Sequence, residues 1–454
     1  MPDQRQPSPT VAATARTLDR IEHENEVLQA FVHITRDTAL AEAAMTDARA
    51  AAQMAPGLLE GMAIVVKDIV DLAGVVTGCG SLTRRQSAPA ERDAPVVQRL
   101  RAAGAIIPGK THTVEFAFGG YGTNVTVGTP RNPWDRAVHR IPGGSSSGTG
   151  VAVGAGLVPG GLGTDTGGSV RIPAALCGCV GLKTSIGRVS RAGVAPLSQT
   201  LDSIGPLARD VTTAALMFAA MQGPDAADPT TLGVKAVDPF ADLERGIRGL
   251  RIGRIADADM PLTTDEVRAD FAAALERLAG LGATIEPVSL PHSFDEYGRL
   301  CGRIIAPEAY ANWQQHVENP RSGLADPIRT RMLAGKAMSA SDYIAARADQ
   351  RTAIEGFSAV IDRLDAIVLP TIPYPAIAVA EVDETVSPMA AHTRWANYLD
   401  LCGLAVPTAL SRSGLPLSLQ IVGRKFDDAL VLRIGRAFEK ARGTFASPPT
   451  GSVR

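Results

Sequence analysis

Three serines stand side by side between glycines in IPGGSSSGTG, residues 141–150, and a second Gly-Gly-Ser turn follows at Gly167-Gly168-Ser169. A serine hydroxyl is a weak nucleophile until a neighbouring base takes its proton. Glycines beside it leave backbone N–H groups free to face a developing oxyanion. Two such turns, joined by an Ala/Gly/Val-rich segment, suit acyl transfer. The base must come from elsewhere. Seven of the 45 basic residues are lysine, and a desolvated lysine can be neutral where an arginine cannot. Lys67 lies in AIVVKDIV, an apolar run in which an ammonium is costly to bury. On residue type alone, Lys67 is either that base or a lysine that reaches solvent or pairs with Asp68.

Two further motifs compete for attention. GAIIPGKT, residues 104–111, matches the phosphate-loop spacing G-x-x-x-x-G-K-T. A phosphate cradle needs a strand before the loop and small residues whose amides are free. Here a helical stretch precedes it and Ile106, Ile107 and Pro108 fill it, so Gly104 reads as a helix stop and the rest as a strand. GSSSG, residues 144–148, matches G-x-S-x-G with Ser146 central. A nucleophile elbow needs a strand directly before it, and Pro142 and Gly143 break one. His292, His316 and His392 leave a Ser-His-Asp arrangement open.

Taken together, GMAIVVKDIVDLAG, RLRAAGAIIPGKTHTVEFAFGG, GTPRNPWD, the block from Ile141 to Gly193 and LDSIGPLARDV resemble the amidase signature family of serine hydrolases. DAIVLPT and GLPLSLQIVGR echo it later in the chain. The resemblance implies a Ser–cis-Ser–Lys triad at Ser169, Ser145 and Lys67, the relay serine lying 24 residues before the nucleophile. It implies an oxyanion hole from the backbone N–H groups of Thr166, Gly167, Gly168 and Ser169, and a non-proline cis peptide at the relay serine. It implies no metal and no organic cofactor. Expected substrates are small carboxamides or anilides, with carbamates (urethanes) and esters alongside. Around GRVSRAGV and LDSIGPL the chain also resembles the glutaminase subunit of tRNA-dependent amidotransferases. That subgroup carries an acidic residue before its NLAGLP-like segment, to hold the glutamine ammonium. The corresponding stretch here, AAHTRWANYL, holds no Asp or Glu. A stand-alone hydrolase is therefore preferred, and the alternative is the glutaminase subunit of a tRNA-dependent amidotransferase. Phe116, Phe118 and Tyr121 are candidate pocket aromatics, and residues 300–345, with Tyr310, Trp313 and Met332, a candidate lid.

The elements that must position these residues read as α/β. Residues 17–54 lack Gly and Pro and predict a helix. The β-branched run in 61–74 predicts a buried strand. TDEVRADFAAALERLAGLG and DDALVLRIGRAFEKA predict helices, and residues 300–360 are mostly helical. Alternation of strands with helices argues for a largely parallel sheet, whereas the family resemblance implies a mixed central sheet wrapped by helices. The expected organisation is a helical arm over residues 1–55 packed on a single catalytic domain over 56–454.

Composition bounds the rest. At 454 residues, 45% apolar and a net charge of −2, the chain has a globular composition with no dominant sign. Neither nucleic acid nor an anionic membrane is implied as a partner. No run of about 20 apolar residues is present, and MPDQRQPSPT lacks the apolar core of a secretory signal. Five cysteines without regular spacing make no disulfide framework, and Cys177-Gly178-Cys179 lacks a second ligand pair for zinc. Free thiols in a reducing, cytoplasmic setting are expected, with a small-molecule partner; a homodimer is left open.

Overall fold

The apolar run around Lys67 makes a short strand, Ile64–Lys67, with every residue buried. The chain does not stay extended to residue 74. The N–H groups of Ile69 and Val70 turn back onto the Lys67 carbonyl, at 2.8 and 3.0 Å. That turn leaves Lys67 at the carboxyl end of its strand, where sites in α/β folds collect.

The computed structural model describes residues 8–449 apart from residue 387. Among these, eleven strands form one sheet: β1 (Phe31–Ile34), β2 (Ile64–Lys67), β3 (Gly109–Thr111), β4 (Gly160–Asp165), β5 (Val180–Lys183), β6 (Ser203–Ala208), β7 (Arg251–Ile255), β8 (Thr284–Val288), β9 (Ala366–Pro370), β10 (Cys402–Leu410) and β11 (Pro416–Gly423). Their order is β1-β3-β2-β4-β6-β5-β10-β11-β9-β7-β8. The sheet is mixed, as the family resemblance implies, and the largely parallel sheet expected from alternation alone is corrected. β2 is parallel to both β3 and β4, and β7 to both β8 and β9. Between them, the successive pairs from β4 through β6, β5, β10 and β11 to β9 are antiparallel.

The helix expected over residues 17–54 is two helices, Pro9–Leu28 and Arg36–Ala51, with β1 between them. Gln29 adopts a left-handed conformation that ends the first helix. The Asn25 side chain then holds Phe31 through its N–H and carbonyl, at 2.8 and 3.1 Å. β1 pairs with β3, which ties this segment to the sheet. Helices Asp265–Gly280, Phe294–Glu318, Asp326–Lys336, Ala340–Ile361 and Asp428–Arg442 agree with the periodicity of the sequence.

The serine run opens a wholly buried helix, Ser147–Gly154. It packs on the helix Arg171–Cys177 that follows Ser169. Small residues permit that approach: a Cβ on Gly154 would stand 2.4 Å from the Cys177 carbonyl oxygen. The glycine spacing thus brings the two Gly-Gly-Ser turns together. Among the described residues, no helix is long and apolar enough to cross a membrane.

Candidate active site

Lys67 is wholly buried. Its Nζ donates to Ser145 Oγ at 2.7 Å and to Thr164 Oγ1 at 2.8 Å. β2 delivers the lysine and neighbouring β4 delivers Thr164. Ser145 comes from the loop before the buried helix, and its peptide bond with Gly144 is cis. The Ser145 carbonyl is held by the Val114 N–H and the Thr113 hydroxyl, at 3.1 and 3.0 Å. Burial pushes the Lys67 ammonium down to about 7, against the partial pull of the Asp202 and Asp165 carboxylates. Lys67 therefore neither reaches solvent nor pairs with Asp68. Asp68 is taken by Lys110, at 2.8 Å.

That ion pair also disposes of the phosphate-loop motif. Lys110 is buried on β3 and donates further to the Val76 carbonyl and the Thr77 hydroxyl. The elbow motif fares no better. Ser146 Oγ donates to the Thr164 carbonyl and accepts from the Thr164 N–H, at 3.4 and 3.3 Å. His392 is buried between the Pro370 carbonyl and Thr263, and burial pushes it down to about 4.

Ser169 follows β4 and lines a pocket of about 220 Å³ with Phe118, Thr166, Gly167, Ile305, Arg331 and Arg394 among its walls. Its carbonyl accepts from the Ser146 N–H at 3.3 Å, which laces the two serine loops together. The turn before it is set by Asp165. Burial alone works against that charge, yet the Arg171 guanidinium holds the carboxyl well below the usual carboxylate range. Arg171 donates through Nε and Nη2 at 3.0 and 2.9 Å, and Asn397 donates at 2.9 Å. The same carboxylate accepts from the Gly168 N–H at 2.7 Å. Of the four amides expected around an oxyanion, that of Gly168 is thus already committed to Asp165. Thr166 is fixed from its other side, its hydroxyl donating to Asp202 at 2.5 Å.

The expected pocket aromatics divide. Phe118 lines the Ser169 pocket. Tyr121 is not among its walls: it is buried in the apolar cluster of Ile141, Ile172 and Met389, behind Ile172, which does line the pocket, so its assignment to the pocket is corrected to packing behind the wall. Phe116 stacks on Trp313, ring centroids 4.5 Å apart, also away from the pocket walls. The segment 300–345 does reach the pocket, through Ile305 and Arg331 rather than Tyr310, Trp313 or Met332. Sequence reasoning missed Thr164, Asp165, Arg171, Asp202 and the two pocket arginines. The spacing of Asp165 and Arg171 was a usable signal, because an acid and a base on either side of a buried turn must find each other.

The Amidase family model matches residues 12–432. The glutamyl-tRNA(Gln) amidotransferase A-subunit of Anaeromyxobacter dehalogenans is 40% identical, with 95% of this chain and 93% of that protein aligned. Among solved structures, the A-subunit of the same amidotransferase from Thermotoga maritima superposes with a TM-score of 0.83 at 31% identity, covering 98% and 95% of the two chains. The native peptide amidase of Stenotrophomonas maltophilia superposes with a TM-score of 0.86 at 30% identity, covering 97% and 95%. Sequence, sheet and coverage agree along nearly the whole length, and the chain belongs to the amidase signature family.

Proposed function

We propose that the protein hydrolyses carboxamide C–N bonds through an acyl-enzyme on Ser169, with Ser145 as relay and Lys67 as base. The observation that carries this is the buried contact of Lys67 with Ser145, on a loop that the Ser146 N–H ties to the Ser169 carbonyl. Neutral Lys67 takes the proton of Ser145, and Ser145 takes that of Ser169 as its oxygen attacks the carbonyl carbon. The tetrahedral oxyanion is met by the amides of Thr166, Gly167 and Ser169, while Asp165 uses the Gly168 amide to hold the turn in shape. The relay returns the proton to the leaving nitrogen as the C–N bond breaks. Water, deprotonated along the same path, then releases the acid.

Two substrate readings follow. The first is a stand-alone hydrolase of amides that lack an α-ammonium. It rests on the pocket walls: among the described residues, those lining the Ser169 pocket include two arginines and no Asp or Glu. The acids of the adjoining cavity are engaged, Asp202 by Thr166 and Asp228 by Arg191. The second reading is the glutamine-hydrolysing subunit of a tRNA-dependent amidotransferase. The comparisons favour it over the first, since the relative at 40% identity is so named. It brings partner subunits within a tRNA-bearing complex, so the expectation of no nucleic-acid partner is not carried forward. Nothing in the comparisons speaks for carbamates, and the proposal is confined to amides.

Ammonia release from glutamine and from a panel of neutral primary amides, with aniline release from anilides, separates these. Neutral substrates outpacing glutamine support the first reading, and glutamine outpacing every neutral amide supports the second. Turnover that survives Ser169→Ala contradicts both.

A further inference from the structure

Arg394 stands at the start of a short buried helical turn, Arg394–Tyr398, and lines the same pocket as Ser169. Its side chain lies along the turn ahead of the nucleophile: a Cβ on Gly167 would meet its Cγ at 3.4 Å and its Nε at 3.9 Å. Its Nη1 also approaches Gly298, where a Cβ would stand 3.3 Å away. Among the described residues no carboxylate lies within ion-pair distance of this guanidinium. The neighbouring charges are otherwise committed. Arg331 is neutralised by Glu384 at 2.6 Å and donates to the Phe118 carbonyl at 2.7 Å. Arg171 is spent on Asp165. Cys301, packed beneath, is a thiol that burial pushes up to about 12, so it supplies no anion. Burial works against the charge on Arg394, and Arg331 adds to that cost. Arg394 is half-buried, and a guanidinium with reduced access to water and no counter-ion favours an anion that joins it, its fork geometry matching a carboxylate.

We propose that Arg394 is a substrate-binding residue that pairs with a carboxylate carried by the amide substrate. The inference rests on the amidase reading and narrows it to amides of dicarboxylic acids or similarly anionic amides. With no acid among the described residues of the pocket walls to receive an ammonium, the substrate is one whose carboxylate is not accompanied by a positive charge.

The test uses matched pairs that differ only in the carboxylate: succinamate, glutaramate and adipamate against butyramide, valeramide and hexanamide. In the full-length protein, kcat/KM for at least one anionic amide should exceed that of its neutral partner by roughly ten- to a hundredfold, the range of a charge-assisted hydrogen bond. Arg394→Gln should bring that ratio near one, and Arg394→Lys should restore part of it, chiefly through KM. Calorimetric binding of the same pairs to Ser169→Ala, with Arg394 intact, asks the question without turnover and without relying on the folding of an Arg394 variant. Selective binding of an anionic amide there supports the carboxylate site even if no amide is hydrolysed, an outcome that would remove only the hydrolase reading. Equal binding of both members of every pair, or of neither, overturns the carboxylate site, as does a ratio that survives Arg394→Gln.

Discussion

Lys67 Nζ stands 2.7 Å from Ser145 Oγ, while Lys110, one strand away, stands 2.8 Å from the carboxylate of Asp68. Both lysines are buried, on parallel neighbours β2 and β3. One is paired as a structural cation and the other is offered only hydroxyls. Lys67, held down by burial, can act as a base near neutrality. With Lys67 at about 7, kcat/KM for an uncharged amide should be level above that pH and fall about tenfold per unit below it. Lys67→Ala should remove that limb and about a thousandfold or more of the rate. A flat profile from pH 5 to 9 in the wild type would contradict the assignment.

The same burial makes Lys67 a stability cost. Its folded value lies below its unfolded one, so between about 7 and about 10.4 the unfolded chain holds a proton that the folded one lacks. Stability from this group therefore rises with pH through that window, and the penalty is largest below it. Lys67→Met, similar in length and apolar, should be inactive yet raise the thermal midpoint, by more at pH 6 than at pH 9. A midpoint lowered equally at both pH values would show that the bonds to Ser145 and Thr164 outweigh desolvation.

Arg171 and Asp165 are both essentially inaccessible to solvent. Removing one member of such a pair leaves a buried charge and costs about 3–5 kcal/mol. Arg171→Met should therefore lower the midpoint strongly. Asp165→Asn keeps an oxygen for the Gly168 N–H but leaves the Arg171 guanidinium buried without its counter-ion, so it should lose stability on the same scale. An unchanged midpoint in Asp165→Asn would show that the carboxylate is not the anchor of the turn.

Gly168 has φ of +127°, and a Cβ there would stand 2.2 Å from Thr393 Oγ1. The Thr393 hydroxyl donates to the Gly167 carbonyl at 2.6 Å, so the contact cannot simply be vacated. Gly168→Ala should lose activity by displacing the Ser169 turn, and adding Thr393→Ala, which removes the clashing hydroxyl, should not recover it, because the backbone conformation remains unsuited to an L side chain. Near-normal turnover in Gly168→Ala would mean that the turn tolerates the shift.

Much of this was legible in the sequence, for physical reasons that differ between elements. The buried lysine, the two Gly-Gly-Ser turns and the amphipathic helices of the second half are local patterns, and local patterns survive folding. β1 was not legible, since Phe31–Ile34 becomes a strand only by pairing with β3, more than seventy residues later. The antiparallel centre of the sheet depends on the return of β10 and β11 from the far end of the chain. The aromatic cluster misled at Tyr121, because a side chain near the site in sequence points to either side of a loop. Arg394 lay in plain view among the residues read for a missing acid, but its freedom from any carboxylate is a property of the fold.

The central claim is that Ser169 carries the acyl group, and it is tested most directly by trapping. The protein should be quenched in acid during turnover of an amide, or treated with a fluorophosphonate, and the modified peptide mapped by mass spectrometry. The adduct should fall on Ser169, should vanish in Ser169→Ala and should persist in Ser146→Ala. An adduct on Ser146 or Ser145, or one that survives Ser169→Ala, would contradict the account.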